Sequence, residues 1–227
     1  MSESSLPKVF LSGGVHGDEP AGVHAIINFL GKHIAYWSKF FNFTIVPCVN
    51  PWGLINYTRG NEDGINLNRD FKESPVSKEV KIIQKILGKQ RFIFTMDFHE
   101  TWPEASRVGT NEPQGDDPDS FYLWELCPDK SKRVGQDIIK NVSDRGYPVC
   151  TWPKIYGDRN NNGVIWYPED CGTECYAQEG PLDSYLLKHH TDHAFTIETP
   201  RDWPLENRVD AHLISLITAL NKQLDRV

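Results

Sequence analysis

Three short apolar runs constrain this chain most: "KVFLSGG" at 8–14, "RFIFTMDFHE" at 91–100 and "AFTIETP" at 194–200. Each leads out of a buried-looking stretch into polar or acidic residues. Such runs, rich in β-branched and aromatic side chains and alternating with stretches of helical period, are the pattern of an α/β domain around a largely parallel sheet. The expected elements are strands at Lys8–Ser12, Phe41–Val49, Arg91–Phe98, Pro148–Trp152 and Ala194–Glu198. A first helix is predicted over Pro20–Leu30, with Val23, Ile26, Ile27 and Leu30 on its apolar face. Ser74-Pro75 reads as an N-cap with proline at the first helical position, opening a helix through about Leu87. A weaker helix is expected over Ser131–Ser143. The terminal helix, Glu206–Leu224, carries Val209, Leu213, Leu216, Ile217, Leu220 and Leu224. The Pro-, Asp- and Gly-rich stretch Glu100–Gln136 reads as a long loop region with one helix near its end, and Gly157–Gly180 as a second polar loop.

At 227 residues and 39% hydrophobic, the chain can bury one sizeable core, so one domain over 1–227 is expected: a single α/β/α domain with a mixed, mostly parallel central sheet. The net charge is −7 without any block of Lys or Arg, which excludes the electrostatic footprint of a nucleic-acid binder. No apolar run is long enough to cross a bilayer, and the first six residues do not form a secretory signal, so no membrane association and a cytoplasmic location are expected. Five cysteines, an odd and sparse number, do not form a secreted disulfide framework; Cys171 and Cys175 read as ordinary thiols of a polar loop.

The polar residues that matter sit just past the strands. His16 and Glu19 follow the first in "GGVHGDEPAG", His99 ends "FIFTMDFH" and Glu198 ends "AFTIE". Ligands of open α/β sheets collect outside the carboxyl ends of the strands, so these four can meet although far apart in sequence. Two imidazoles and one carboxylate, His16, Glu19 and His99, are a ligand set for one catalytic Zn²⁺ that leaves a position open for water. His-x-x-Glu is weak evidence alone; its place after a strand and the third ligand after another strand give it weight. A carboxylate ending an apolar strand is costly unless it faces a polar cleft, which makes Glu198 the candidate base. In "VNPWGLINYTRGNEDGINLNRDF", Arg59 and Arg69 are permanent cations able to fork onto a carboxylate or polarise a carbonyl, and Asn68 adds an amide donor. The remaining histidines, among them the HHxxH at 189–193, read as solvated loop or helix-end residues.

"HGDE", "NP.G", "NLNRDF", "DFHE" and "FTIETP", in this order, resemble the zinc carboxypeptidases of the pancreatic type and their relatives, the murein peptide amidases and the aspartoacylase and succinylglutamate desuccinylase branch. The resemblance implies that His16, Glu19 and His99 bind zinc and that Glu198 is general base and then acid. Arg59 would polarise the scissile carbonyl, and Asn68 and Arg69 would hold the substrate's terminal carboxylate. Tyr176, 22 residues before Glu198, falls where carboxypeptidases carry a mobile tyrosine, and Leu182 where they set the terminal side-chain pocket. The expected activity is hydrolysis of an amide next to a free carboxylate, on a peptide or an acylated amino acid. The competing expectations are an N-acyl amino acid hydrolase, a murein peptide amidase and a carboxylate-binding module without catalysis. The resemblance implies a further C-terminal domain in the aspartoacylase branch, for which the sequence after Glu206 is expected to leave no room. The long segment between His99 and Glu198, with "TWPEASRVGT" and "CTWPKIYGD", follows no pattern of that family.

Overall fold

The computed structural model describes residues 6–102, 117–170 and 180–226. Its main sheet has six strands: β1 Lys8–Gly13, β2 Asn42–Val46, β3 Phe94–Thr101, β4 Tyr122–Leu126, β7 Val164–Tyr167 and β8 Ala194–Pro200. Two short strands, β5 Lys154–Ile155 and β6 Asp158–Arg159, form a separate ribbon. The order across the main sheet is β2-β1-β3-β8-β4-β7, parallel throughout except where β4 meets β8. The expected mixed, mostly parallel sheet is therefore present.

Alternation along β1 feeds two cores. Val9 and Leu11 join one cluster, with α1 Pro20–Lys32, α5 Gly135–Asp144 and α7 Leu205–Leu224, while Phe10 joins the other, with α4 Lys78–Leu87 and α6 Leu182–His189. The sheet is thus covered on both faces, and every residue of its inner strand β3 is buried. Two short helices, α2 Ile34–Trp37 and α3 Pro51–Asn56, complete the set.

Several expectations need correction. Helix α4 starts at Lys78 rather than Pro75, because the Asp70 carboxylate accepts from Val76 N–H, Ser77 N–H and Ser77 Oγ and holds those residues outside the helix. Pro148–Trp152 makes only an isolated bridge, Val149 to Phe121. Strand β4 crosses the segment read as loop, and β7 crosses the second loop. On α1, Phe29 is buried whereas Ile27 and Leu30 are 55% and 38% exposed. On α7 the most buried line runs through Ala211, Ser215 and Ala219 beside Leu216 and Leu220, so small residues let α7 lie close to α1 and α5.

His212 of α7 is fully buried, its ring edge-on to Phe98 at 5.0 Å, rather than solvated. Burial pushes its pKa down to about 3, and the positive charges of His99 and Arg208 add to the shift. The unfolded chain protonates this imidazole near 6.5, so its contribution is complete above that pH and is lost as pH falls toward 3. We expect His212→Leu to flatten the acid limb of stability by about 3 kcal/mol, measured as urea unfolding free energy at about pH 7 and about pH 4.

Candidate metal centre and active site

Leaving β1, the chain passes Gly14 at φ +61° and turns through His16–Glu19 before Pro20 opens α1. The turn closes by Glu19 N–H donating to the His16 carbonyl at 3.3 Å, which sets the two side chains together. His16 Nδ1 lies 2.7 Å from Glu19 Oε1, and His99 Nδ1, from β3, lies 2.8 Å from Glu19 Oε2. All three residues are buried, and one ligand atom from each lies within 4.8 Å of the others.

The far side of each ring is already committed. His16 Nε2 meets Asn66 Oδ1 at 3.2 Å, and His99 Nε2 meets Asp97 Oδ2 at 2.7 Å, while Asp97 Oδ1 accepts from Ser12 Oγ. An amide oxygen and a carboxylate only accept, so each Nε2 carries a hydrogen, and each Nδ1, which faces the Glu19 carboxylate, offers a lone pair to a metal ion that takes the place of the proton there. Two such lone pairs and a carboxylate converging on one point fit a divalent metal ion, with outer partners that fix both ring orientations. Burial pushes the His16 imidazole down to about 4, against the pull of Glu19. Burial alone would raise Glu19; the two imidazoles and their hydrogen bonds hold it well below the carboxylate range.

The neighbouring motifs have local reasons. In "NPWG", Asn50 Oδ1 caps α3 by accepting from Gly53 N–H at 2.9 Å, and Pro51 takes the first helical position. The helix rests on the metal loop: a Cβ on Gly17 would stand 2.0 Å from the Gly53 carbonyl carbon. We expect Gly17→Ala to cost about 1–3 kcal/mol of stability and to weaken metal binding, checked by thermal unfolding and metal stoichiometry. Asn50 Nδ2 also donates to the Arg59 carbonyl, and Arg59 Nη1 reaches Glu19 Oε1 at 3.0 Å with the residue 32% exposed. Asn66 Oδ1 caps the turn Leu67–Arg69 by accepting from Asn68 N–H, so one amide serves both "NLNRDF" and His16.

Glu198 stands opposite His99 in the parallel β3–β8 register and opposite Tyr122 in the antiparallel β4–β8 register. Its Oε2 accepts from Thr101 Oγ1 at 3.1 Å. Burial pushes its carboxyl up to about 8, opposed by His99. His16, Glu19, His99, Arg59 and Glu198 are thus brought together at the strand ends, as the sequence suggested.

The remaining candidates are placed differently. Asn68 Oδ1 accepts from Leu182 N–H at 2.9 Å, tying the turn to the start of α6. Arg69 is exposed and donates to the Asn68 carbonyl. Leu182 is a correction: its side chain is fully buried with Phe10, Leu67, Phe71 and Leu186, because the first turn of α6 directs it into the core rather than toward a ligand. Tyr176, Cys171 and Cys175 lie outside the described residues. His190 and His193 are buried, not solvated; His190 donates to the Gln90 carbonyl and His193 Nε2 meets Glu125 Oε1. Neither joins a metal-type cluster among the described residues.

Sequence reasoning passed over Asn66, Asp97, Thr101, Tyr122 and Glu100. Glu100 N–H donates to Glu19 Oε2 at 3.1 Å, and its carboxylate accepts from Ala21 N–H and pairs with Arg208, joining β3, α1 and α7 behind the metal loop. Asp183, half-buried and accepting from Thr196 Oγ1 at 2.8 Å, was also passed over. A signal existed for Asp97 and Thr101, since residues two before and two after His99 share its face of the strand.

The structure thus combines a three-layer α/β fold with a His, Glu, His cluster at its strand ends. Residues 5–106 match the model of the succinylglutamate desuccinylase/aspartoacylase catalytic domain. Carboxypeptidase SOL1 of Arabidopsis thaliana is 24% identical over 174 residues, 69% of this chain; the chain spans about a third, 34%, of that relative. In fold, the chain is similar to a protein of Shewanella amazonensis assigned to the metallopeptidases (TM-score 0.73, 22% identity, 97% of this chain and 79% of that one). It is also similar to the mDAP-bound form of Helicobacter pylori Csd4, a D,L-carboxypeptidase (TM-score 0.62, 18% identity, 97% and 51%). The chain is zinc carboxypeptidase-like in fold, and over residues 5–106 it resembles the aspartoacylase branch in sequence. No described helix is long and apolar enough to cross a membrane.

Proposed function

We propose that the protein is a zinc-dependent metallocarboxypeptidase that removes the C-terminal residue of a peptide. The observation that carries this reading is the convergence of His16 Nδ1, His99 Nδ1 and the Glu19 carboxylate beside Glu198, with Arg59 reaching the same point. When bound there, one zinc ion supplies Lewis acidity toward water and the scissile carbonyl, and a positive field that favours ionised Glu198. Glu198 accepts a proton from the attacking water and passes it to the leaving amine, so that one carboxylate serves as base and then acid. Arg59 steadies the negative charge that develops on the carbonyl oxygen. Asn68 Nδ2 and the exposed Arg69 guanidinium hold the terminal carboxylate, and the family resemblance assigns Tyr176 to the same end of the substrate. Leu182 takes no part in substrate contact.

A second reading keeps the site and changes the substrate: hydrolysis of N-acyl amino acids, favoured by the family-model match over residues 5–106. A murein peptide substrate is favoured by the fold likeness to Csd4. Zinc-loaded protein incubated with blocked dipeptides of varied C-terminal residue, N-acetyl and N-succinyl amino acids and a murein tripeptide, followed by mass spectrometry, separates these. Release of a terminal amino acid from dipeptides is the expected result. Cleavage of acyl amino acids alone would move the protein to the acylase reading, and no cleavage with zinc bound would leave a carboxylate-binding module.

A further inference from the structure

The one antiparallel junction of the main sheet lies at Glu198. There β4 runs against β8, so that Tyr122, the first residue of β4, faces Glu198 near the carboxyl end of β8. On the other side β3 runs parallel, with His99 opposite Glu198 and Thr101 two residues further along the same face. Directly opposed residues on neighbouring strands share a face, so all these side chains point to one region.

The hydrogen bonds there take their direction from the charge of Glu198. Thr101 Oγ1 lies 3.1 Å from Glu198 Oε2 and 2.9 Å from the Tyr122 hydroxyl. A threonine hydroxyl has one hydrogen, so when Glu198 is ionised Thr101 donates to it and the Thr101–Tyr122 bond takes its hydrogen from Tyr122. Tyr122 is fully buried, its ring edge-on to Trp124 at 5.2 Å, and its hydroxyl is hydrogen-bonded to that of Tyr156 as well as to Thr101. Further out, Trp124 stacks on Tyr156 with 13° between the rings, and the Tyr156 hydroxyl is hydrogen-bonded to Asp117. Tyr156 holds a left-handed backbone at φ +51°, a conformation costly for a bulky residue, which brings its ring onto Trp124.

We propose that Tyr122 and Thr101 form a directed hydroxyl relay that anchors one oxygen of Glu198 and leaves the other to carry the proton, making both of them positioning residues. The inference rests on the hydrolase reading above and adds to it an assignment of roles to the two carboxylate oxygens. A general base held within a fraction of an ångström of its proton donor keeps its full effect, and one free to rotate does not. The relay spans three strands, β3, β8 and β4, so its geometry is set by sheet register rather than by a loop.

The test uses zinc-loaded full-length protein, with metal content matched to wild type. Thr101→Val is expected to lower kcat about 10- to 100-fold with KM within about twofold, Thr101→Ser to restore it to within about threefold, and Tyr122→Phe to lower it about 3- to 10-fold. A residue with only a packing role would not give rescue by serine together with an unmoved KM. A second readout needs no turnover. In protein labelled with ¹³C at tyrosine Cζ, the Tyr122 resonance, identified by its loss in Tyr122→Phe, is expected to move in Glu198→Gln. Unchanged kcat in Thr101→Val, or a Tyr122 resonance indifferent to Glu198→Gln, would overturn the relay. Should Thr101→Val fail to fold, Tyr122→Phe and the resonance decide the matter. A wild-type protein that cleaves none of the substrates while the resonance still responds counts against the hydrolase reading and supports the relay.

Discussion

Replacing Glu198 with glutamine is expected to cut kcat about 10²- to 10⁴-fold, with zinc stoichiometry unchanged. The amide keeps the size of the side chain and can still accept from Thr101 Oγ1 through its oxygen, so local packing is preserved. It cannot take a proton from water or return one to a leaving amine. The effect should therefore lie in kcat with little change in KM, as for an interaction made only in the transition state. Steady-state kinetics on whichever substrate the screen identifies, beside metal analysis of the same preparation, makes the measurement. Activity within a few-fold of wild type would remove Glu198 from the mechanism.

Removing Glu19 should have the largest effect on metal and stability together. Its two oxygens bridge His16 and His99 and also receive Arg59 and the Glu100 N–H, so Glu19→Ala withdraws one ligand and strands four partners. A ligand that binds only the folded state stabilises it by about 4 kcal/mol at a free concentration of roughly 1,000 Kd. We expect zinc to raise the wild-type melting temperature and to leave that of Glu19→Ala unmoved, with stoichiometry falling from one ion per chain toward none. A wild-type chain indifferent to zinc in both assays would refute the metal centre.

Much of the fold was legible where periodicity was undisturbed. β1, β3, β8, α1 and α7 each announce themselves by an apolar run or stripe, and their boundaries moved by only a few residues. β4 was concealed by Glu125, an acid in the middle of a buried strand. The structure satisfies that acid with N–H donors from Val134 and Gly135 at the start of α5, Trp166 Nε1 and His193 Nε2, none of them on β4 itself. β7 has four residues between an Asn-rich turn and a proline, and α6 has eight, too few for a period to stand out. The same division runs through the site. His16, Glu19, His99 and Glu198 were readable because each closes or follows an apolar run, although His99 and Glu198 prove to lie within β3 and β8, whereas Asn66 and Tyr122 acquire their roles only through cross-strand and loop contacts. Leu182 was misassigned because spacing along the chain says nothing about which way a helix turns its first residue.

The strand order places β1, β3 and β8 side by side, with a neighbour on each flank. The candidate metal ligands and Glu198 all belong to these strands or to the turn leaving β1. Interior strands are the last to open in native-state fluctuations, while edges and loops open first. His99 and Glu198 sit on that slow-opening centre, whereas His16 and Glu19 sit on the turn between β1 and α1, so a bound ion would leave by loosening of the turn while His99 stays in place. Metal transfer to a strong chelator should then run faster than hydrogen exchange of the β3 and β8 amides.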